Sequence, residues 1–453
     1  MPEPQYKDII FPQEQTPSLS HLLGSLRRTN LSIHNRLASI QADARFVLAA
    51  AEAYGRRPLV ANERCGSWYI SPGDKSGSAY FKSTDGHERA WKFSTRRLNL
   101  HLVDMIEQND GTTRSLTIPG MPDALSATIP IWCNVLNLAL LPSDPVSQRL
   151  FLPPSYSPST HAQISALIPS FLASLKELNL SLPTTLTKPL RPFWVTQDTT
   201  FDGVARGKGE VFEDYRPVIC CTASRRVVAG SEADECGYIQ GAADDTENWA
   251  HGLTPEVFWS NAYKLLQTPE DELPGLIATL VEQEKASRTE SDNKTRLTPR
   301  ISVCPLPLDP STSSECCCIA LTPEVTPKDT WVKSPKYMEV GLGKSKAASR
   351  NLRLALPEIC AFASKNLVSS GDAPHQIVIA CESGRDLSVG TVLALSCYLF
   401  DDEGNFRVPD ESMSFTKSFV KIRLGTIMTA YPGANPSRNT LQSVNSFLMD
   451  WRK

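Results

Sequence analysis

The stretch Ile377-Val378-Ile379-Ala380-Cys381-Glu382-Ser383-Gly384-Arg385-Asp386-Leu387-Ser388 decides how the chain folds around it. Its first four residues are apolar and suit a short buried strand, and residues 389–399 behind it are apolar enough for a buried helix. A strand that feeds a tight loop into a helix aims consecutive backbone N–H groups at one point, where the helix N-terminus adds about half a positive charge. That geometry suits a phosphate and predicts an α/β fold around residues 381–388. The plainer alternative is an ordinary strand-to-helix turn that happens to bury a cysteine.

The order Cys, two residues, Gly, three residues, Ser resembles the loop of cysteine-dependent dual-specificity phosphatases, with Gly384 and Ser388 in register. In that family an Arg stands immediately before the Ser and clamps the phosphoryl oxygens through two parallel hydrogen bonds. Here Leu387 holds that place, and Arg385 comes two residues too early. Ala380 stands where a His is usual, and no upstream acid reads as a proton donor to a leaving group. The loop is therefore expected to bind phosphate without hydrolysing it. The alternative is a phosphatase or pseudophosphatase working through Cys381.

Outward from the loop, 453 residues exceed what one core accommodates, so two domains are expected. Residues 287–299 are almost free of apolar side chains, which sets the boundary between domains of residues 1–297 and 298–453. In the first, residues 31–54 repeat Ile33, Leu37, Ile40, Ala44, Val47 and Ala51 at helical spacing. Further helices are predicted at 98–106, 130–141 and 160–178, and one from the Thr254-Pro255 cap to residue 267. Strands are expected at 67–70, 78–82, 193–196 and 218–222, and beyond the loop two more helices at 417–423 and 441–451.

No run of about 18 apolar residues occurs and the start lacks a signal sequence, so an intracellular protein is expected, cytoplasmic or else nuclear, with no membrane partner. The twelve cysteines include Cys220-Cys221 and Cys316-Cys317-Cys318, which read as reduced thiols rather than a disulfide framework. No CxxC pair is present, and the seven histidines do not fall at zinc-finger spacing. A net charge of −3 argues against a protein that coats nucleic acid, while leaving room for a local basic surface.

Several ordered stretches resemble the initiator tRNA phosphoribosyltransferase family over most of the chain. They are residues 80–87 (Tyr-Phe-Lys-Ser-Thr-Asp-Gly-His), 91–94 (Trp-Lys-Phe-Ser), 96–102 (Arg-Arg-Leu-Asn-Leu-His-Leu), 121–126 (Met-Pro-Asp-Ala-Leu-Ser), 238–245 (Tyr-Ile-Gln-Gly-Ala-Ala-Asp-Asp) and 434–445. The resemblance implies an N-terminal mixed α/β domain followed by a dual-specificity-phosphatase-like α/β domain. It implies a pentosyltransferase that moves a 5-phosphoribosyl group from phosphoribosyl pyrophosphate to the 2'-hydroxyl of an adenosine in the T-stem of initiator tRNA, keeping that tRNA out of elongation. Residues 110–120 depart from the family, which normally has there an apolar strand and a basic pair. Neither is expected in this chain, and Arg114 is a correspondingly weak ligand candidate.

Displacing pyrophosphate from the anomeric carbon builds oxocarbenium-like charge, so cations and a base are needed. Lys82, Asp85 and His87 offer a pyrophosphate contact, a base or magnesium ligand, and a proton relay; they read equally well as an Asp-Gly turn beside a surface lysine. Asp244 and Asp245 are adjacent oxygen donors suited to Mg2+ on a diphosphate, though paired acids on loops are usually just solvated. Arg96, Arg97, Arg114 and Arg438 are candidate contacts to phosphates of the donor or of tRNA, with a polar helix face as the alternative for the first two. The sequence sets no oligomeric state.

Overall fold

The computed structural model describes residues 31–63, 65–81, 91–109, 112–116, 123–180, 182–201, 214–227, 233–234, 236–287, 294–308, 316–368, 376–401, 404–410, 413–431 and 433–450. Helix α1 (Ile33–Ala53) starts at Ser32, whose hydroxyl accepts from the Asn35 N–H. It is followed by β1 (Leu59–Asn62), β2 (Lys75–Ala79), α2 (His101–Gln108), β3 (Thr112–Leu116), α3 (Asp123–Leu140) and α4 (Pro158–Lys176). Then come β4 (Leu190–Val195), β5 (Arg216–Thr222), the single turn α5 (Thr246–Trp249), α6 (Pro255–Gln267) and α7 (Leu273–Ser287).

The five strands form a parallel sheet in the order β2-β1-β3-β5-β4. Such a sheet is covered on both faces, and strand alternation divides its side chains between two cores. Leu59, Ala61, Ile219 and Cys221 join α1, α6 and α7 on one side. Val60, Val218 and Cys220 join α2, α3 and α4 on the other. The adjacent Cys220 and Cys221 thus point to opposite faces, which explains a pair that no disulfide could use. All twelve cysteines are free thiols.

Three expectations fail here for identifiable reasons. Residues 67–70 form not a strand but the end of a 3-10 turn, Gly66–Tyr69, and its C-cap Ile70. The turn folds back on β1 because Gly66 lets the backbone sit where a Cβ would lie 3.2 Å from Ala61. Helix α3 begins at Asp123, seven residues before the expected start, and runs through Pro130. Most consequentially, the segment in which no strand was expected supplies β3, paired with β1 and β5 in the middle of the sheet. Its weak apolar content concealed it; backbone pairing on both edges holds it.

The second sheet begins with β6 (Thr295–Arg296) and adds β7 (Ile301–Pro305), β8 (Cys316–Thr322), β9 (Val332–Ser334), β10 (Tyr337–Gly341) and β11 (Gln376–Cys381). Its order is β6-β7-β11-β8-β10-β9, with parallel inner strands and an antiparallel strand at each edge. Helix α8 (Ser345–Val368) precedes β11; α9 (Leu387–Tyr398), α10 (Lys417–Ala430) and α11 (Arg438–Asp450) follow it. These four helices share one core with Cys317, Ile319, Ile377 and Ile379, while Cys318, Val378 and Ala380 face the other way. Central placement of β11 delivers residues 381–388 to the middle of the carboxyl edge of the sheet. No helix among the described residues is long and apolar enough to cross a membrane.

Candidate active site

Cys381 ends β11 with its side chain buried, and its thiol donates to the Ser388 hydroxyl at 3.2 Å. Its carbonyl accepts from the N–H groups of Leu306 at 2.9 Å and Gly384 at 3.1 Å, which closes the turn. Gly384 has φ +65°, and a Cβ there would stand 2.7 Å from the Pro305 nitrogen and 2.8 Å from the Cys304 carbonyl carbon. Only glycine meets both demands. The Arg385 N–H bonds to the Ser383 hydroxyl at 3.2 Å. Among the described residues, the N–H groups of Ser383, Leu387 and Ser388 have no acceptor in the chain, consistent with a cradle for an anion.

The loop is pinned from outside. Asp386 does not cap α9; its carboxylate accepts instead from the Ser437 N–H at 2.8 Å and the Thr440 hydroxyl at 2.7 Å. The Asn435 N–H donates to the Arg385 carbonyl at 2.8 Å. Leu387, standing where a phosphatase would carry its arginine, is half-buried against the core, and Arg385 is exposed.

The first sheet meets this loop at the carboxyl end of β1. The Asn62 amide brackets Phe81, accepting from its N–H at 2.9 Å and donating to its carbonyl at 3.3 Å, which fixes the chain just before Lys82. Lys82, Asp85 and His87 lie outside the described residues. Glu63, directly after β1, accepts from Lys75 at 2.7 Å, from Ser67 and from Ser78. Burial opposes its ionisation, but Lys75, Ser78 and the charge of Arg385 outweigh burial and hold the carboxyl below its usual range. Arg385 therefore acts electrostatically across the two domains.

Arg97 joins them directly. Its guanidinium lies over the Tyr80 ring at 3.6 Å, donates to the Ala434 carbonyl at 3.2 Å and also reaches the Asn435 side chain. Burial pulls its pKa down to about 10. Arg96 remains exposed and, with Arg438, lines a cleft of about 930 Å³. The backbone of Arg114 lies in β3, and its side chain is outside the described set.

A second polar centre gives no signature in the sequence motifs. Asp43 of α1 is fully buried and accepts from Tyr238 at 2.7 Å, Ser224 at 2.8 Å and Gln197 at 2.9 Å. Desolvation raises its pKa to about 7 against the pull of those donors and of Arg225. Around it the 238–245 loop is moored at several points. The Ile239 N–H reaches Ser39 at 2.9 Å, the Gly241 N–H reaches Ser224 at 3.3 Å, and the Ala243 N–H reaches the Tyr69 hydroxyl at 3.1 Å. Arg36 adds a bond to the Ala242 carbonyl at 3.1 Å. The one available signal was a carboxylate on the apolar stripe of α1, three residues after Ile40 and four before Val47.

This mooring delivers Asp244, half-buried, and Asp245, exposed with φ +49°, at the start of α5. Among the described residues no group of three His, Cys, Asp or Glu could hold a metal ion. The chemistry of two adjacent carboxylates fits a magnesium ion only where substrate phosphates and waters complete its shell.

Two family descriptions match the chain, "Rit1 N-terminal domain" over residues 26–282 and "Rit1 DUSP-like domain" over residues 336–448. The tRNA A64-2'-O-ribosylphosphate transferase of Saccharomyces cerevisiae is 32% identical over 95% of both chains. An uncharacterized protein of Schizosaccharomyces pombe is 42% identical over 57% of this chain and 58% of its own. Among solved structures, human DUSP28 covers 37% of this chain and 100% of its own at 12% identity, with a TM-score of 0.25 that carries no conclusion by itself. With both family domains present in order and the yeast relative matched almost end to end, the chain belongs to the Rit1 family.

Proposed function

We infer that the chain transfers a 5-phosphoribosyl group from phosphoribosyl pyrophosphate to the 2'-hydroxyl of an adenosine in initiator tRNA. The observation that carries this reading is the match to the yeast transferase over 95% of each chain. The loop at Cys381 agrees with it: a closed backbone cradle in which Leu387 replaces the arginine that hydrolysis would need. A fold built for phosphate keeps its binding loop while the chemistry changes.

The cradle of residues 381–388 takes a phosphate of the donor through its backbone N–H groups and the α9 N-terminus. The Asn62 amide holds Phe81 beside the carboxyl end of β1, and Lys82, Asp85 and His87 follow Phe81 in the chain. Lys82 contacts the leaving pyrophosphate, and Asp85 or His87 removes the proton of the incoming hydroxyl. Asp244 and Asp245 would hold Mg2+, which neutralises charge on the departing diphosphate when bound. Arg97 keeps the two domains in register, and Arg96 and Arg438 face phosphates.

The deciding experiment incubates the purified chain with Mg2+, phosphoribosyl pyrophosphate labelled in the ribose, and initiator or elongator tRNA. Label on initiator tRNA alone is expected. Label on neither tRNA, together with hydrolysis of an aryl phosphate that Cys381→Ser abolishes, would overturn the reading in favour of a phosphatase.

A further inference from the structure

The cleft that holds Arg96 and Arg438 is only half of a larger feature. It is walled by Lys92 and Arg96 of the first domain and by Lys417, Lys421 and Arg438 of the second. Across α11 a second hollow of about 360 Å³ is lined by Lys346, Arg350 and Arg353. The hollows meet at Gln442 and Ser446, which line both. Seven cations thus flank one helix, and an eighth, Arg438, opens it. The single carboxylate among the lining residues, Asp450, already pairs with Arg353 at 3.0 Å. Among the described residues, the other seven cations take part in no ion pair.

On a chain whose net charge is −3, so one-sided a surface does not follow from composition. Helix α11 buries Leu441, Val444, Phe447 and Leu448 and turns Asn439, Gln442, Ser443 and Ser446 outward at helical spacing. The resulting ridge of neutral hydrogen-bonding groups runs about 10 Å from Asn439 to Ser446, at 1.5 Å per residue. Cationic banks on either side of such a ridge match a polyanion that offers phosphates at its edges and hydroxyls between them. That is the wide, shallow groove of an A-form RNA helix. Unpaired strands are held differently, by bases stacked on aromatic rings. No Phe, Tyr or Trp is among the residues lining either hollow.

We propose that α11 is the ridge of a saddle that seats the sugar-phosphate backbone of a double-helical RNA arm, with Lys92 and Arg96 contributed across the domain boundary. This rests on the reading of the chain as a tRNA-modifying enzyme, and gives that substrate a docking face separate from the cradle at Cys381. Phosphate contacts supply affinity there, and the ridge meets 2'-hydroxyls that DNA lacks.

The test titrates the full chain with a fluorescent hairpin of the T-arm sequence, with a non-pairing RNA of equal length, and with anionic phosphatidylserine vesicles, across a range of salt. Two independent variants, Lys417→Ala/Lys421→Ala and Lys346→Ala/Arg350→Ala, are checked for unchanged thermal unfolding. Each should weaken hairpin binding by roughly 10- to 100-fold near 0.1 M salt and lower the log–log salt slope by about 2, one per lost phosphate contact. Unchanged affinity and slope in both folded variants would overturn the proposal. So would equal binding of the non-pairing RNA, or losses confined to the vesicles. Labelled-donor transfer to intact tRNA is measured alongside. Transfer with an unaffected hairpin titration sinks the saddle alone, whereas groove-dependent hairpin binding without transfer sinks the enzymatic reading alone.

Discussion

The two sheets present the carboxyl ends of parallel strands in opposite ways. In the second, one contiguous run of eight residues makes a cradle that ties down the Gly384 and Arg385 N–H groups and leaves those of Ser383, Leu387 and Ser388 for a ligand. In the first, Asp43, Gln197, Ser224 and Tyr238 come together across as many as 195 positions, and they bind one another. An open backbone turn is suited to receive something, and a closed knot of side chains is suited to hold something still. The knot keeps the 238–245 loop in place; the cradle depends on that kind of rigidity elsewhere in the molecule.

Gly384→Ala should have the largest effect, because left-handed backbone and a clash with the Cys304–Pro305 backbone act together, at about 2–4 kcal/mol. Transfer of labelled donor should fall roughly 100-fold or more, read first as a raised KM for phosphoribosyl pyrophosphate. A variant with normal donor kinetics would remove the cradle from the site.

Asp43→Ala tests the opposite claim. It strands three donors in a buried space, so unfolding free energy should drop by about 2–4 kcal/mol in denaturant titration. Turnover measured well below the unfolding temperature should change far less. Loss of turnover at undiminished stability would make Asp43 part of the chemistry and collapse the distinction.

The same carboxyl gives a smaller, pH-dependent signature. Folding raises its pKa from the ordinary range near 4 to about 7, so the folded protein holds a proton that the unfolded chain has lost. Its stabilising contribution is complete below pH 4 and disappears as pH rises through 7. Asp43→Asn should flatten that part of the stability profile, and an unaltered slope would place the effect in another group.

Arg97→Ala removes the clasp on Tyr80, Ala434 and Asn435 and should cost about 1–2 kcal/mol, with a larger effect on KM for donor than on unfolding. The smallest change is expected from Cys381→Ser. Its thiol bonds to Ser388 and Ser383 and is otherwise packed in the core, and transfer should stay within about twofold of the parent. A severe loss would restore the sulfur to the chemistry.

What could be read from the sequence follows the same division. The strand, loop and helix at 376–398 were legible because signal and structure are contiguous, α1 because its periodicity is local, and α6 because its Thr254-Pro255 cap is. Strand β3 was not legible: Thr112-Thr113-Arg114-Ser115 lacks the apolar run that marks a buried strand, and its place is set by partners on both sides. Arg97 read as a candidate phosphate contact or part of a polar helix face, and its bonds to residues 434 and 435, over three hundred residues away, could not be read locally. Asp43 could be named only as an oddity on an apolar helix face, since Gln197, Ser224 and Tyr238 are joined to it by the fold alone.

The bonds from Asp386 to Ser437 and Thr440 cross 51 and 54 positions of chain. Strand β11 and helix α9 can meet early in folding, since a short turn joins them, but the turn becomes rigid only when α11 docks. Competence to bind a phosphate should therefore appear after most helical signal has formed, in step with burial of Leu441 and Val444. In a refolding experiment the cradle would keep time with the last helix to pack rather than with the residues that compose it.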